Sequence, residues 1–301
     1  MMIAVMGGAG NVGGKVADKL LRQNEEVRVF EHERKLGEFP ERGAEVVSGD
    51  ARNVEDLKRL FRNAEAALLV LPDTVADPDF VASRSKMSRA IADALRETQV
   101  SHVVVLSSVG ADQADAAGPP AGLHEFEERL SELEGVNVLV LRSAPYMDYL
   151  LANLPLIQSQ KINGSAIKGD LKYPMIATQD VAREAAERLM RRDFAGHQAK
   201  LLLGPEDVSM REATAMIGSL LGLPELPYVE FPPDGVKNAL MGAGMSEEAA
   251  SLVVDNQLAI NEGRPFEGVR RTAETATPTR LEEFLSKALG GVPSAQEGEL
   301  Q

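Results

Sequence analysis

The stretch AVMGGAGNVGGKVADKLL, residues 4–21, places five glycines in the eight positions 7–14, directly before an amphipathic run. Glycine is a poor helix former, so this density needs a reason other than helix stability. Gly7, Gly10 and Gly13 are spaced G-x-x-G-x-x-G between a predicted strand and a predicted helix. At such a junction the first glycine permits a tight turn and the second removes a side chain, so that a pyrophosphate can touch the backbone. The third lets the helix pack closely on the sheet. The helix N-terminus then offers unpaired N–H groups and a favourable dipole to phosphate. A tight turn with no ligand would use the same glycines, and the context favours the cradle. The strand is the first of the chain, and Glu31 ends the second strand. An acid about 20 residues past the loop is where a dinucleotide fold grips the adenosine ribose hydroxyls.

Other residues converge on the same predicted site. Asp50 closes AEVVSGD and can accept a hydrogen bond from an adenine amino group; it can also cap the helix over 54–64. Leu71 and Pro72 end a fourth strand and offer an apolar wall for adenine or ribose. Ser107 and Ser108 end a fifth strand beside the expected nicotinamide position, where they can equally satisfy strand-end backbone groups.

The elements that must hold these residues follow from the apolar pattern. IAVMG (3–7), VRVFE (27–31), AEVVSGD (44–50), AALLVLP (66–72), HVVVLSS (102–108) and NVLVLRS (137–143) are near-continuous apolar runs, as in a parallel sheet covered on both faces. Between them, residues 14–24, 54–64, 85–98 and 124–135 carry apolar residues three and four apart, as amphipathic helices do. This alternation predicts an α/β fold with a doubly wound parallel sheet. After about residue 145 the rhythm changes. Residues 153–174 are punctuated by proline and glycine and are expected to be mostly loop. A helix is expected over 179–192 and a strand over 200–204. SMREATAMIGSLLG (209–222) opens with Ser209 and Glu212 at capping-box spacing and closes at Gly222. Four prolines then surround a short strand, YVEF. A helix over 246–263 is capped by Ser246, with Glu247 and Glu248 in its first turn.

This organisation predicts a nucleotide-binding domain over 1–150, to which 175–204 and the helix at 277–289 return. A smaller, mostly helical C-terminal lobe would comprise 151–174 and 205–276, and 290–301 would form a flexible tail.

Composition narrows the function classes. The 301 residues contain no cysteine, which excludes disulfides and thiolate catalysis. The four histidines are widely separated and form no HExxH motif, so no metal site is expected. A formal charge of -14 disfavours nucleic acid, whose phosphates it repels. No apolar run approaches the ~18 residues of a membrane span, and MMIAVMGG lacks the basic start of a secretory leader. The expectation is a cytoplasmic protein, a monomer or homodimer, acting on a small molecule away from membranes.

Taken together, GGAGNVGGKV, VSGDARNVEDL, HVVVLSSVGAD, HEFEERL, VLRSAPYMDYLLANL, TQDVAREAAERLM, GPEDVSMREATAMIGSLLG and GMSEEAASLV resemble, in order and spacing, the NmrA-like group of atypical short-chain dehydrogenases/reductases. That group includes NAD(P)H-dependent quinone reductases and redox-sensing regulators. The resemblance implies a Rossmann-type domain with a small C-terminal lobe and a substrate cleft between them. Carried over by motif, Gly7, Gly10, Asn11, Val12 and Gly13 would hold the pyrophosphate of NAD(P). Asp50 and Ala51 would contact adenine; Leu71, Pro72 and Ser107 would line the ribose and nicotinamide path, with Pro145 and Tyr146 near the ring. The activity implied is hydride transfer to a quinone-like or carbonyl acceptor. The alternative is a non-catalytic, dinucleotide-sensing regulatory protein.

The chain also departs from the pattern. Ala9 stands where such loops often carry threonine. After the second strand, FEHER places Glu31 and Glu33 around His32, where many relatives carry an arginine for the NADP 2′-phosphate. Carboxylates repel that phosphate, so NAD(H) is favoured over NADP(H), with Arg34 and Arg28 as the cations that could restore NADP binding. The Tyr-x-x-x-Lys pair of ordinary short-chain dehydrogenases is missing, since no tyrosine precedes Tyr146. In its place stands His124, with Glu128 four residues on along the same helix face. Histidine can relay a proton near neutral pH and a carboxylate can orient it; the pair can instead be a surface cap and one of several acids. Tyr146, Tyr149 and Tyr173 can shape the cleft. The cofactor carries the hydride chemistry, so loss of the dyad does not exclude a reductase.

Overall fold

The structure is a computed structural model and describes residues 1–31, 39–72, 74–114, 116 and 118–290. Its centre is a seven-stranded sheet. Six strands come from the first half of the chain: β1 (Met2–Val5), β2 (Glu26–Glu31), β3 (Glu45–Ser48), β4 (Ala66–Leu69), β5 (His102–Ser108) and β6 (Asn137–Ser143). Two short strands, β7 (Asn163–Ser165) and β8 (Lys172–Pro174), follow outside this sheet, and β9 (His197–Leu202) returns to it. The order is β3-β2-β1-β4-β5-β6-β9, and every pairing is parallel. The direction of winding reverses between β1 and β4, and the crevice at the carboxyl ends of those two strands is the natural ligand position of such a sheet.

Helices cover both faces. α1 (Gly13–Arg22), α2 (Val54–Phe61), α3 (Phe80–Arg96) and α4 (Pro119–Ser131) connect the early strands, and α6 (Thr178–Arg191) precedes β9, after the short α5 (Leu154–Gln160). Alternate strand residues point to opposite faces. Ile3, Val5, Leu68 and Val104 join Val16, Leu20, Val181 and Leu189 of α1 and α6 in one apolar cluster. Ala4, Met6, Leu69 and Val105 join Leu57, Met87, Ile91 and Phe126 of α2, α3 and α4 in a second. Burial on both sides explains why the strands are apolar at every position rather than at every other one.

The second half builds the lobe. It holds β10 (Asp207–Ser209), α7 (Met210–Leu220), β11 (Tyr228–Glu230), α8 (Pro233–Gly242), α9 (Glu247–Glu262) and α10 (Leu281–Leu289). Residues 153–174, expected to be loop, contain α5, β7 and β8. β7 pairs in parallel with β11, and β8 pairs antiparallel with β10. Strands of three residues are too short to show a period of two, which is why the pattern hid β7, β8 and β10, while the prolines around YVEF marked β11. Leu281, Leu285 and Leu289 of α10 pack with Ile217 of α7 and with Met147 and Leu150 of a 3-10 turn (Met147–Asn153). The segment before α10 is tied to the sheet side instead: Thr277 N–H donates to the Leu203 carbonyl at 2.7 Å, and Thr279 N–H donates to Asp180 of α6 at 3.0 Å. Among the described residues no helix is long and apolar enough to cross a membrane, and no group of three or more His, Asp or Glu could hold a metal ion.

Candidate functional site

The loop from β1 to α1 lies at the point where the sheet order reverses. Gly7 has φ +71°, a left-handed conformation that glycine adopts without steric cost. Its carbonyl accepts the Gly10 N–H at 2.8 Å, which closes the turn. A Cβ on Gly13 would stand 2.2 Å from that same carbonyl oxygen, so the start of α1 can lie against the turn only if position 13 is bare. Gly10 differs. A Cβ there would meet nothing within 4 Å except the Gly7 oxygen at 3.2 Å, and Ala9, Gly10 and Asn11 are exposed. The protein's own packing therefore needs glycine at 7 and 13, whereas at 10 the bare Cα leaves room for something outside the chain. Val12 turns its side chain into the core, leaving its main chain for contact.

The start of α1 fits an anion. No side chain caps it and no acid lies in its first turn. Asn53 caps α2, Ser209 caps α7 and Ser246 caps α9, whereas α3 and α4 start as bare as α1, so it is the glycine turn before α1 that sets its start apart. These features match what a dinucleotide's pyrophosphate requires.

The adenosine side is described in part. Glu31 is the last residue of β2, in register with Ser48. His32 and Arg34, expected near the ribose, lie outside the described residues, as does Glu33. Arg28 is committed elsewhere: its Nη1 donates to the carbonyls of Leu60 at 2.9 Å and Arg62 at 2.6 Å, and its Nη2 pairs with Glu45 at 2.9 Å. It closes the end of α2 and is not a cation available to a 2′-phosphate. The Asp50 carboxylate pairs with Arg52, whose Nε and Nη2 lie 2.9 Å from its two oxygens. The cap of α2 is Asn53 rather than Asp50, its Oδ1 accepting the Glu55 N–H at 2.9 Å. The Asp50 N–H donates to Asp56 at 2.8 Å, and that bond, with Arg59, holds the Asp56 carboxyl below the usual range. A Cβ on Gly49 would sit 2.7 Å from the Asp56 side chain, which accounts for glycine there. Ala51 is fully buried, Leu71 is buried and Pro72 half-buried.

At the other end, Ser107 and Arg142 face each other across β5 and β6. Ser107 is buried, and its hydroxyl donates to Glu127 on α4. Arg142 clamps that carboxylate, with Nη2 2.6 Å and Nε 3.1 Å from Oε2, and its Nη1 lies 3.2 Å from Asp112. Burial opposes the charge on Arg142, but Glu127 and Asp112 outweigh it and raise its pKa above the ordinary value. The expected pair His124 and Glu128 is also brought together. His124 Nδ1 donates to the Ala111 carbonyl at 2.7 Å, and Nε2 lies 3.4 Å from Glu128. Ser107, however, is bonded to Glu127, one residue away. Sequence reasoning missed both Glu127 and Arg142. The available signal was the arginine in NVLVLRS, because a charge on a strand covered on both faces needs a partner.

Pro145 and Tyr146 follow β6, and Tyr146 forms an isolated parallel bridge with Ile176. The Ser143 hydroxyl donates to the Ser107 carbonyl at 3.1 Å and lies 3.3 Å from the Tyr146 hydroxyl. The Tyr146 and Tyr149 rings are 5.6 Å apart, and Tyr149 is exposed. Lys15 of α1 donates to Thr178 at 2.7 Å, which donates to Asp148 at 2.8 Å, so the turn carrying the tyrosines is tethered to the helix that starts at the glycine loop. Tyr173 lies in the lobe's core, where burial raises its pKa, and it does not shape an open cleft.

Comparison with known proteins identifies the family and the fold. Residues 7–192 match the model of the NAD(P)H-binding family. The chain belongs to the NmrA-like, NAD(P)H-binding branch of the atypical short-chain dehydrogenases/reductases. A (4-alkanoyl-5-oxo-2,5-dihydrofuran-3-yl)methyl phosphate reductase of Streptomyces griseus is 30% identical over 246 residues, 80% of each chain. Among solved structures, an Escherichia coli NADPH-dependent quinone oxidoreductase complexed with NADPH superposes with a TM-score of 0.78. It is 19% identical, and the match covers 96% of this chain and 99% of that one. A Citrobacter triphenylmethane reductase complexed with NADP(H) superposes with a TM-score of 0.79 at 19% identity, covering 95% and 99%. This NmrA-like chain is thus a member of an NAD(P)H-dependent reductase family with a Rossmann-type fold.

Proposed function

We propose that the protein transfers hydride from a nicotinamide dinucleotide to a small conjugated acceptor, a quinone-like or carbonyl compound, held under the C-terminal lobe. The observation that carries this is the bare Cα of Gly10, open above a turn whose other glycines are needed by the protein itself. The N–H groups of the loop other than that of Gly10, which closes the turn, and the uncapped start of α1 would hold the pyrophosphate. Glu31 would accept the adenosine ribose hydroxyls, with Asp50 and Ala51 at adenine and Leu71 and Pro72 along the path. Ser107, Pro145 and Tyr146 would line the reacting end. His124, oriented by Glu128, would relay the proton that follows the hydride. The bound cofactor supplies the hydride itself. NAD(H) is preferred in this reading, supported by the carboxylate of Glu31 and by the engagement of Arg28 within the fold.

The relatives support the acceptor class by their chemistry. The Streptomyces enzyme is named for an unsaturated oxo-furan, and the Escherichia coli enzyme for quinones. Both compounds are electrophiles conjugated to a carbonyl, in which charge arriving with the hydride is delocalised.

Calorimetry with NAD, NADH, NADP and NADPH tests the cofactor site. Wild type should bind NADH more tightly than NADPH, and Gly10→Asp should abolish binding, because its Cβ and charge occupy the phosphate position. Equal binding in that variant would move the site elsewhere. NADH oxidation against quinones and aldehydes tests the chemistry. Tight dinucleotide binding without turnover across the panel would favour the redox-sensing alternative.

A further inference from the structure

A hydroxyl carries one hydrogen and two lone pairs, an ionised carboxylate only accepts and a guanidinium only donates. This inventory fixes the direction of the hydrogen bonds at the end of β5. Ser107 Oγ donates to Glu127 Oε1. Arg142 reaches Oε2 through Nη2 at 2.6 Å and Nε at 3.1 Å, and Oε1 through Nε at 3.3 Å. Glu127 is 10% exposed and Arg142 20% exposed, so the pair is largely shielded from water and its geometry is correspondingly firm. The single hydroxyl proton of Ser107 is therefore spent on the protein.

We propose that Glu127 is a positioning residue: clamped by Arg142, it takes the Ser107 proton, so that the Ser107 oxygen meets the bound ligand as a hydrogen-bond acceptor only. The proposal rests on the placement of the cofactor given above. Its chemical content is specific. Ser107 would bind a group that only donates, such as a carboxamide N–H. It would not stabilise an oxyanion forming on the acceptor, and it would not be the acid of the reaction. The site would then suit acceptors that spread incoming charge over their own conjugated system, and would serve simple ketones and aldehydes poorly.

The substitution Glu127→Gln inverts the arrangement. The donor-only guanidinium of Arg142 claims the amide oxygen, which turns the amide N–H toward Ser107 and sends the serine proton outward. The test is a double-mutant cycle in the full-length chain with Glu127→Gln, Ser107→Ala and the double variant, reading NADH affinity by calorimetry and kcat/KM for a quinone and for an aldehyde. Loss of one hydrogen bond at the ligand predicts about a five- to tenfold fall in NADH affinity for each single variant. In the Ser107→Ala background, Glu127→Gln should change affinity by less than about twofold, as expected when one residue acts through the other. The quinone-to-aldehyde preference should fall in Glu127→Gln alone, where the serine becomes a donor.

Equal losses from Glu127→Gln in both backgrounds would overturn the proposal while leaving the cofactor site intact. Failure of wild type to bind any dinucleotide would remove both. Should Glu127→Gln not fold, Ser107→Ala decides on its own. It should weaken NADH binding and leave the pH profile of quinone reduction unmoved; unchanged affinity, or loss of a proton-linked limb, would overturn the proposal.

Discussion

Two glycines of one loop, Gly10 and Gly13, carry different burdens, and substitution separates them. Alanine at Gly13 puts a methyl 2.2 Å from the Gly7 oxygen, so α1 must move away from the turn, at a cost of ~1–3 kcal/mol for an overpacked contact. Alanine at Gly10 meets only one oxygen at 3.2 Å, and its effect on stability should stay within about 0.5 kcal/mol. Binding should respond in the opposite manner. Gly10→Ala is expected to lower NADH affinity about tenfold or more at nearly unchanged thermal midpoint, because the methyl occupies the ligand's path. Gly13→Ala is expected to lower the midpoint first. Thermal melts and calorimetry on both variants check the contrast, and a large loss of stability in Gly10→Ala would mean that the protein itself uses the space.

Elements with a strong period and a defined start were legible in the sequence. The capping box at Ser209 and Glu212 is present with both of its reciprocal bonds, and the six early strands stand where apolar runs met turn residues. The short strand YVEF between its prolines is present as β11; illegible were the three-residue strands β7, β8 and β10, whose pairing depends on partners distant in sequence, and the Glu127–Arg142 clamp, which depends on how α4 docks over β6. The docking site of α10 was hidden for the same reason, since Leu281, Leu285 and Leu289 suit any apolar surface. The α7 cap also makes a pH prediction. Hydrogen bonds from Lys172 and from the Ser209 backbone lower the Glu212 pKa to about 2, against 4.5 for the free side chain. A depressed carboxyl pKa stabilises the fold above the unfolded value and loses that contribution as pH falls through the folded one. Glu212→Gln keeps a capping side chain but removes the charge. Its thermal midpoint should lie below that of wild type at pH 7, with the gap closing between pH 4.5 and about 2. A gap that persisted at pH 2 would show that the charge is not what α7 uses.

The sheet and the lobe are joined as one molecule along the seam between α6 and the segment leading into α10. The centre of that seam is Asp180, 1% exposed. It accepts from the Thr279 N–H at 3.0 Å and hydroxyl at 2.9 Å, and pairs with Arg183 at 3.1 Å. Asp180→Ala would strand a buried N–H and hydroxyl, at a cost of ~2–4 kcal/mol. The expected readout is faster hydrogen exchange in α10 and α7, with β1 and β4 protected as in wild type. Uniform loss of protection would mean that the seam is part of the global core. The parallel sheet has a further consequence. Every strand of that sheet ends on the rim where the cofactor is proposed to bind, so the opposite rim, with turns such as the one at Gly135 (φ +76°, nothing within 4 Å of an added Cβ), would take no part in the proposed chemistry. Because the chain has no cysteine, a thiol introduced at the exposed Glu134 would be its sole thiol, a single handle for a thiol-directed fluorophore or surface tether on the side facing away from the proposed site.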